Sequence, residues 1–248
     1  MSARRLDRID VLRAVAMLWM TAYHFCFDLN FFGLIHENFY RDPFWTWQRT
    51  AIVSLFLFTA GLSQAVAIHQ GQDWARFWRR WGQVAGAALL VTAGSMFMFP
   101  NSFIYFGVLH GIAVMLIVAR ATAGWGAWLW PLGGLAMALP LAAPAAMAAW
   151  PVFEVFNQPW LNWLGFIGRK PITEDYVPLL PWLGVVWWGL AAGRWTLRHR
   201  PAWLGASDAP AKAGPRRALA VLGRWSLSYY LLHQPVMIGL IWLAMALR

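Results

Sequence analysis

The sequence holds a single cysteine, Cys26, among 248 residues. A disulfide framework is therefore excluded, and so is any cysteine-based metal motif, so no metal ion is expected. Charge is scarce too, with 12% of residues charged and only 10 of them acidic. Soluble domains carry about a quarter charged residues, so a water-exposed surface of ordinary size has nothing to cover it. No internal repeat is visible, which argues against the symmetric halves common in transporter folds. The basic N-terminus ahead of an apolar run resembles a signal peptide, but the run contains Asp10, Arg13, His24 and Asp28 and has no clear small-residue cleavage site. It reads as a retained helix.

What the sequence does have is apolar length. Hydrophobic residues make up 60% of the chain, with 19 Trp and 16 Phe. A spanning helix needs about 20 predominantly apolar residues. Stretches of that kind run over Ile9 to Leu34, Trp45 to Ile68, Trp81 to Met98, Ser102 to Ala119, Trp128 to Ala148, Val177 to Leu197 and Ala218 to Leu247. The fold class expected is all-α, a polytopic transmembrane helical bundle of about seven spans forming one membrane domain, with room for short or interfacial helices. The fifth stretch is broken by Pro131, Pro140 and Pro144.

The net charge of +10 and pI near 10.8 reflect orientation rather than nucleic-acid binding. Arg4, Arg5, Arg8, Arg76, Arg79, Arg80, Arg120, Arg194, Arg198, Arg200, Lys212, Arg216 and Arg217 fall on one side of the expected spans, and Arg41, Arg169, Lys170 and Arg248 on the other. That asymmetry places the N-terminus in the cytoplasm. The inner-side arginines can also touch anionic lipid headgroups. Residues 198–217 read as a cytoplasmic linker, and the outer segment from Trp150 to Tyr176 as an interfacial or cavity-capping loop. Gly82 with Gly86, and Gly189 with Gly193, have the spacing that lets helices approach closely. The tryptophans at helix ends are interfacial anchors.

Charged groups at membrane depth are costly and so point to function. Asp10, Arg13, His24 and Asp28 share one face of the first helix. Arg13 and His24 are eleven residues apart, close to three turns and about 16 Å of rise, and the flanking carboxylates sit one turn outside each. Arg13, beside Asp10, can hold an anionic group such as a phosphate. His24 can take a proton from a hydroxyl or amine, with Asp28 orienting the ring. His110 in FGVLHGIAV, and His233 with Gln234 ahead of Pro235, are further candidates for lining a bound ligand. Glu174 and Asp175, before the sixth stretch, are candidates for holding an acceptor sugar or amine on the outer side. A proton relay along the same stripe in a proton-coupled small-molecule transporter is the alternative.

Arg13-AVAMLWMTAY-His24 resembles the Arg-x10-His motif of membrane acyltransferases. The blocks RIDVLRAVAMLWMTAYHFCFDLNFFG, FLFTAGLSQAVA, FIYFGVLHGIAV, EDYVPLLPWLGVVWWG and LGRWSLSYYLLHQPV are similar, in this order, to the bacterial family related to heparan-alpha-glucosaminide N-acetyltransferase. The chain has Arg13-Ala14 where that family often has Arg-Gly. The resemblance implies an acyl-CoA-dependent O- or N-acyltransferase of the bacterial inner membrane. Its donor would be cytoplasmic acetyl-CoA or another acyl-CoA, with phosphates near Arg13 and the thioester near His24. The acceptor would be an extracytoplasmic glycan or lipid-linked acceptor molecule.

Overall fold

The computed structural model describes residues 7–204 and 214–247. Arg4, Arg5, Lys212 and Arg248, and residues 205–213 of the expected linker, lie outside the described residues. Among the described residues every regular element is helical. They are α1 (Asp7–Phe31), α2 (Pro43–His69), α3 (Trp74–Met98), α4 (Val108–Ala121), α5 (Leu129–Ala138), α6 (Ala143–Ala149), α7 (Leu179–His199), α8 (Pro201–Leu204), α9 (Pro215–Arg224) and α10 (Ser226–Ala246). The fold is all-α, as expected. The sole extended pairing among these residues is a parallel bridge between Phe106 and Tyr176.

Four helical runs are long and apolar enough to cross a membrane: Pro43–His69, Trp74–Met98, Ala123–Ala149 and Ser226–Ala246. Helices α1 and α7 have comparable length, 25 and 21 residues, but charged or Trp-rich faces dilute their hydropathy. Helix α4 has 14 residues, about 21 Å of rise, short of the roughly 30 Å hydrocarbon core. The expected fourth stretch is shortened because residues 102–107 bond to the chain ahead of α7 instead of continuing a helix. Leu89, Leu90 and Phe97 on α3, and Leu232, Leu240 and Trp242 on α10, are all more than 60% exposed. Apolar surface on this scale belongs against lipid.

Three expectations are corrected. The seventh stretch, Ala218 to Leu247, is two helices: α9 carries Arg216, Arg217 and Arg224, and Trp225 at its end has φ −94° and ψ 19°, outside the α-helical region. A strongly amphipathic, arginine-bearing helix of this kind suits a membrane surface better than a span. The segment 198–217, expected as a linker, is largely helical where it is described: α7 runs to His199, α8 covers Pro201–Leu204 and α9 starts at Pro215. Proline is accommodated at the first helical position, where its missing N–H has no partner to lose. The Gly82 and Gly86 pair meets nothing: a Cβ at either would find open space within 4 Å.

The chain divides into two compact units, one formed by Met1–Phe56 with Ala202–Arg248, the other by Leu57–Pro201. In the first, α1 packs against α9 and α10. Gly223 of α9 presses so closely on α1 that a Cβ there would lie 1.8 Å from the Asp10 carbonyl oxygen. The core of this unit is Met20, Tyr23, Phe39 and Ile52, with Phe27, Trp45, Tyr229 and Tyr230 packed around them. Phe39 stacks on Trp45 at 4.2 Å and meets the edge of Tyr23 at 5.6 Å.

In the second unit α7 packs against α4 and α5. Gly61 and Gly189 bring α2 and α7 together, a Cβ at each falling within 2.1 and 2.2 Å of the facing backbone oxygen. Gly189 and Gly193 thus do the packing their spacing implied. Leu57, Met115, Leu129 and Leu190 are fully buried. The Trp187 indole N–H donates to Thr122 at 2.9 Å and that of Trp81 to the Ala113 carbonyl at 2.9 Å, satisfying polar tips buried among apolar neighbours.

Candidate functional site

The polar stripe of α1 is real and nearly every member has a partner on α9 or α10. At its N-terminal end Arg13 donates from Nη1 to Asp10 Oδ1 at 2.7 Å, with Asp10 only 6% exposed. Arg224 of α9 donates to Asp7 at 3.0 Å and reaches Asp10 at 3.8 Å. Arg13 and Asp10 thus form an ion pair within α1, and Arg224 ties α9 to the carboxylates of the same helix. Helices α1 and α9 together carry Arg8, Arg13, Arg216, Arg217 and Arg224 against Asp7 and Asp10, an excess of positive charge that suits a multiply charged anion.

About three turns on, His24 Nδ1 and His233 Nε2 are 2.8 Å apart. His233 Nδ1 in turn bonds the Tyr230 carbonyl at 2.8 Å. The Tyr229 ring lies parallel to that of His233, with 5.8 Å between centroids, and its hydroxyl is 2.6 Å from Thr21 Oγ1. Tyr229 and His233 are one turn apart on α10 just as Thr21 and His24 are neighbours on α1, so one helix contact makes both bonds. One turn further along α1, Gln234 donates from Nε2 to Asp28 Oδ1 at 3.3 Å.

The expected contact between Asp28 and His24 is not formed. Each side chain reaches across to α10 instead of along α1, and Asp28 Oδ2 has no hydrogen-bond partner although the residue is 2% exposed. A buried carboxylate oxygen left open is costly and is free to accept from a ligand's N–H or O–H. His233 and Gln234, expected near the donor, meet the two residues expected to be catalytic.

The remaining candidates, His110, Glu174 and Asp175, lie in the second unit and hydrogen-bond to protein groups there. His110 Nδ1 accepts from the Gly107 N–H at 3.3 Å, and its Nε2 lies 3.0 Å from Thr92 Oγ1, which itself donates to the Ile104 carbonyl. Both ring nitrogens are thereby engaged at the N-terminus of α4. Asp175 Oδ2 accepts from the Val108 N–H at 2.7 Å, and Ser102 donates to Glu174 at 2.5 Å, while the Glu174 N–H donates to the Ser102 carbonyl. These carboxylates bind the two segments ahead of α4 and α7 to each other.

The segment between α6 and α7 is held by its own contacts. Asn157 Oδ1 accepts from the Gly168 and Arg169 N–H groups, Phe153, Phe156 and Phe166 cluster at 5.7 to 6.3 Å, and Tyr176 donates to the Asn162 carbonyl at 2.6 Å. Burial raises the Tyr176 hydroxyl above the ordinary tyrosine range, and nearby Tyr105 adds to it. At the start of α3, Asp73 accepts from the Arg76 N–H and side chain. Those two bonds hold its carboxyl below the ordinary range. Spacing in the sequence singles out neither Arg224 nor the Tyr230 carbonyl, because their role depends on which face of α9 and α10 meets α1. Among the described residues no cluster of His, Cys, Asp and Glu fit to hold a metal is present.

Apolar helices of spanning length, and a histidine pair and a carboxylate–amide pair between α1 and α10, mark a multi-pass membrane protein that keeps polar groups between helices. Residues 5–235 match the family described as heparan-alpha-glucosaminide N-acetyltransferase, catalytic, and the chain belongs to that family. Comparison with curated proteins and with solved structures gives no match.

Proposed function

We propose that this protein transfers an acetyl or other short acyl group from cytoplasmic acyl-CoA to the hydroxyl or amine of an extracytoplasmic acceptor, a glycan or lipid-linked sugar. The observation that carries the proposal is the His24–His233 hydrogen bond, which fixes an imidazole on the polar stripe of α1 in a chain of this family. His24 is the general base. It takes the acceptor's proton as the acceptor oxygen or nitrogen bonds to the acyl carbon. The carbon–sulfur bond then breaks, and His24 returns the proton to the departing coenzyme A thiolate.

The donor suits the two ends of the stripe. A phosphate-bearing head needs permanent cations, and Arg13, supported by Arg8, Arg216, Arg217 and Arg224 on the same pair of helices, supplies them. Asp10 orients Arg13. At the reacting end Asp28 Oδ2, open and buried, accepts a hydrogen bond from the acceptor, and Gln234 holds the carboxylate in place. With the N-terminus in the cytoplasm, donor and acceptor approach from opposite faces of a bacterial inner membrane.

Purified protein in detergent, given labelled acetyl-CoA and amino-sugar or hydroxyl acceptors, tests this directly. His24→Ala is expected to lower transfer by about 10²–10⁴-fold with acetyl-CoA binding retained, and Arg13→Ala to weaken that binding. Full transfer by His24→Ala would overturn the assignment. Proton-driven flux in liposomes without any coenzyme A dependence would point to transport instead.

A further inference from the structure

The hydrogen bonds around His24 specify more than its position. The Tyr230 carbonyl can only accept, so the 2.8 Å bond to His233 Nδ1 requires a proton on that nitrogen. Neutral His233 then has a bare Nε2. That atom is 2.8 Å from His24 Nδ1, so His24 must be the donor, with its proton on Nδ1 and a lone pair on Nε2. The ring geometry agrees. The two centroids are 5.1 Å apart with the planes only 15° from parallel, a separation that matches the N···N distance plus a ring radius at each end. The rings therefore lie edge to edge, nearly coplanar, with the bond in both planes, the alignment that makes it strongest. Among the described residues His24 has no other hydrogen bond.

We propose that His233 is a positioning residue that fixes His24 in the Nδ1–H tautomer, so that Nε2 is the atom that takes the acceptor's proton. This rests on the reading of His24 as the base. When Nε2 accepts that proton, the Nδ1 proton can move along the bond to His233 Nε2, leaving the charge on His233, whose Nδ1–H already points at a carbonyl. One added proton is shared by two rings, and the reverse transfer delivers it from His24 Nε2 to the thiolate. Over the cycle the pair gains one proton from the acceptor and gives one to the thiolate, and so ends as it began. The parallel Tyr229 ring, 5.8 Å away, braces His233 in this plane.

Nitrogen-15 NMR of the full chain, labelled at histidine in lipid nanodiscs, reads the tautomer without reference to activity, the His24 signals being assigned by their loss in His24→Gln. The expected wild-type pattern is a protonated Nδ1 and a bare Nε2. His233→Leu removes the acceptor and is expected to release His24 to the opposite tautomer. It should lower kcat about 10²–10⁴-fold while leaving KM for acetyl-CoA unchanged. His233→Gln keeps an oxygen that can accept from Nδ1 and is expected to stay within about tenfold of wild type, since one acceptor is exchanged for another. A wild-type His24 protonated on Nε2 would overturn the proposal, as would His233→Leu with the wild-type kcat or His233→Gln as impaired as His233→Leu. If wild-type protein transferred no acyl group to any acceptor, the functional reading would fail, and the NMR pattern would still decide the tautomer.

Discussion

Two glycines in helices should respond in opposite directions to the same substitution. At Gly223 an added methyl would lie 1.8 Å from the Asp10 carbonyl oxygen, 2.5 Å from its carbonyl carbon and 2.9 Å from its Cα. All three are backbone atoms of α1, so no side chain can swing aside. To reach an ordinary contact, α9 must move off α1 by more than 1 Å, which also stretches the Arg224 bonds to Asp7 at 3.0 Å and to Asp10 at 3.8 Å. Overpacking of this kind costs about 1–3 kcal/mol, and the part-exposed ion pairs add at most about 1 kcal/mol each. Gly223→Ala is thus expected to lose about 2–4 kcal/mol, less the ~1 kcal/mol that alanine gains over glycine inside a helix. At Gly82 the same methyl meets nothing within 4 Å, so only that helical gain remains. Thermal unfolding of detergent-solubilised protein, followed by circular dichroism, should show Gly223→Ala melting several degrees below wild type and Gly82→Ala at or above it. Equal melting temperatures for wild type and Gly223→Ala would refute the close approach of α9 to α1.

Other expectations follow from single contacts. Asp175→Ala should cost about 0.5–2 kcal/mol, the range for losing a helix cap, whereas Asp175→Asn keeps an acceptor for the Val108 N–H and should cost less. Both are checked by the same melts. Arg224→Ala should be nearly neutral, while Arg13→Ala should destabilise by more, because it removes the 2.7 Å partner of nearly buried Asp10 and leaves Arg224 at 3.8 Å. Asp73 binds protons less readily folded than unfolded. Its contribution is therefore complete above the ordinary carboxylate pKa of about 4 and disappears as pH falls through its own lower value. Asp73→Ala should consequently melt below wild type at neutral pH, with the gap closing towards pH 3 or below.

The first helix was legible because its signal is local. Asp10, Arg13, His24 and Asp28 fall on one face by the arithmetic of the helix alone, and the structure buries that face against α9 and α10. The partners were not legible. Nothing in the spacing of Tyr229, His233 and Gln234 says that they meet His24 and Asp28 in register, since that depends on the rotation of α10 about its own axis. His110 and Asp175 illustrate the converse. Each is a polar residue beside an apolar run, and sequence cannot distinguish a ligand-binding group from one that closes a helix end until the neighbouring backbone is placed. The division of the last apolar stretch had a visible cause in the arginines of 215–224, yet the apolar residues between them continue the helical period, so a single span was the simpler reading. Likewise Gly82 and Gly86 match the packing spacing as well as Gly189 and Gly193 do, and only the identity of the facing element separates them.

The histidine pair joins residues 209 positions apart, and that distance has a consequence for how the protein is made. At about 5–20 residues per second of synthesis, roughly 10–40 s pass between the emergence of His24 and that of His233. For that interval α1 is a nascent segment with Asp10, Arg13, His24 and Asp28 and none of their α9 and α10 partners. Its entry into the bilayer is unfavourable until the later helices arrive. Variants of α9 and α10 that remove these partners are therefore expected to lower the yield of inserted protein as well as its activity.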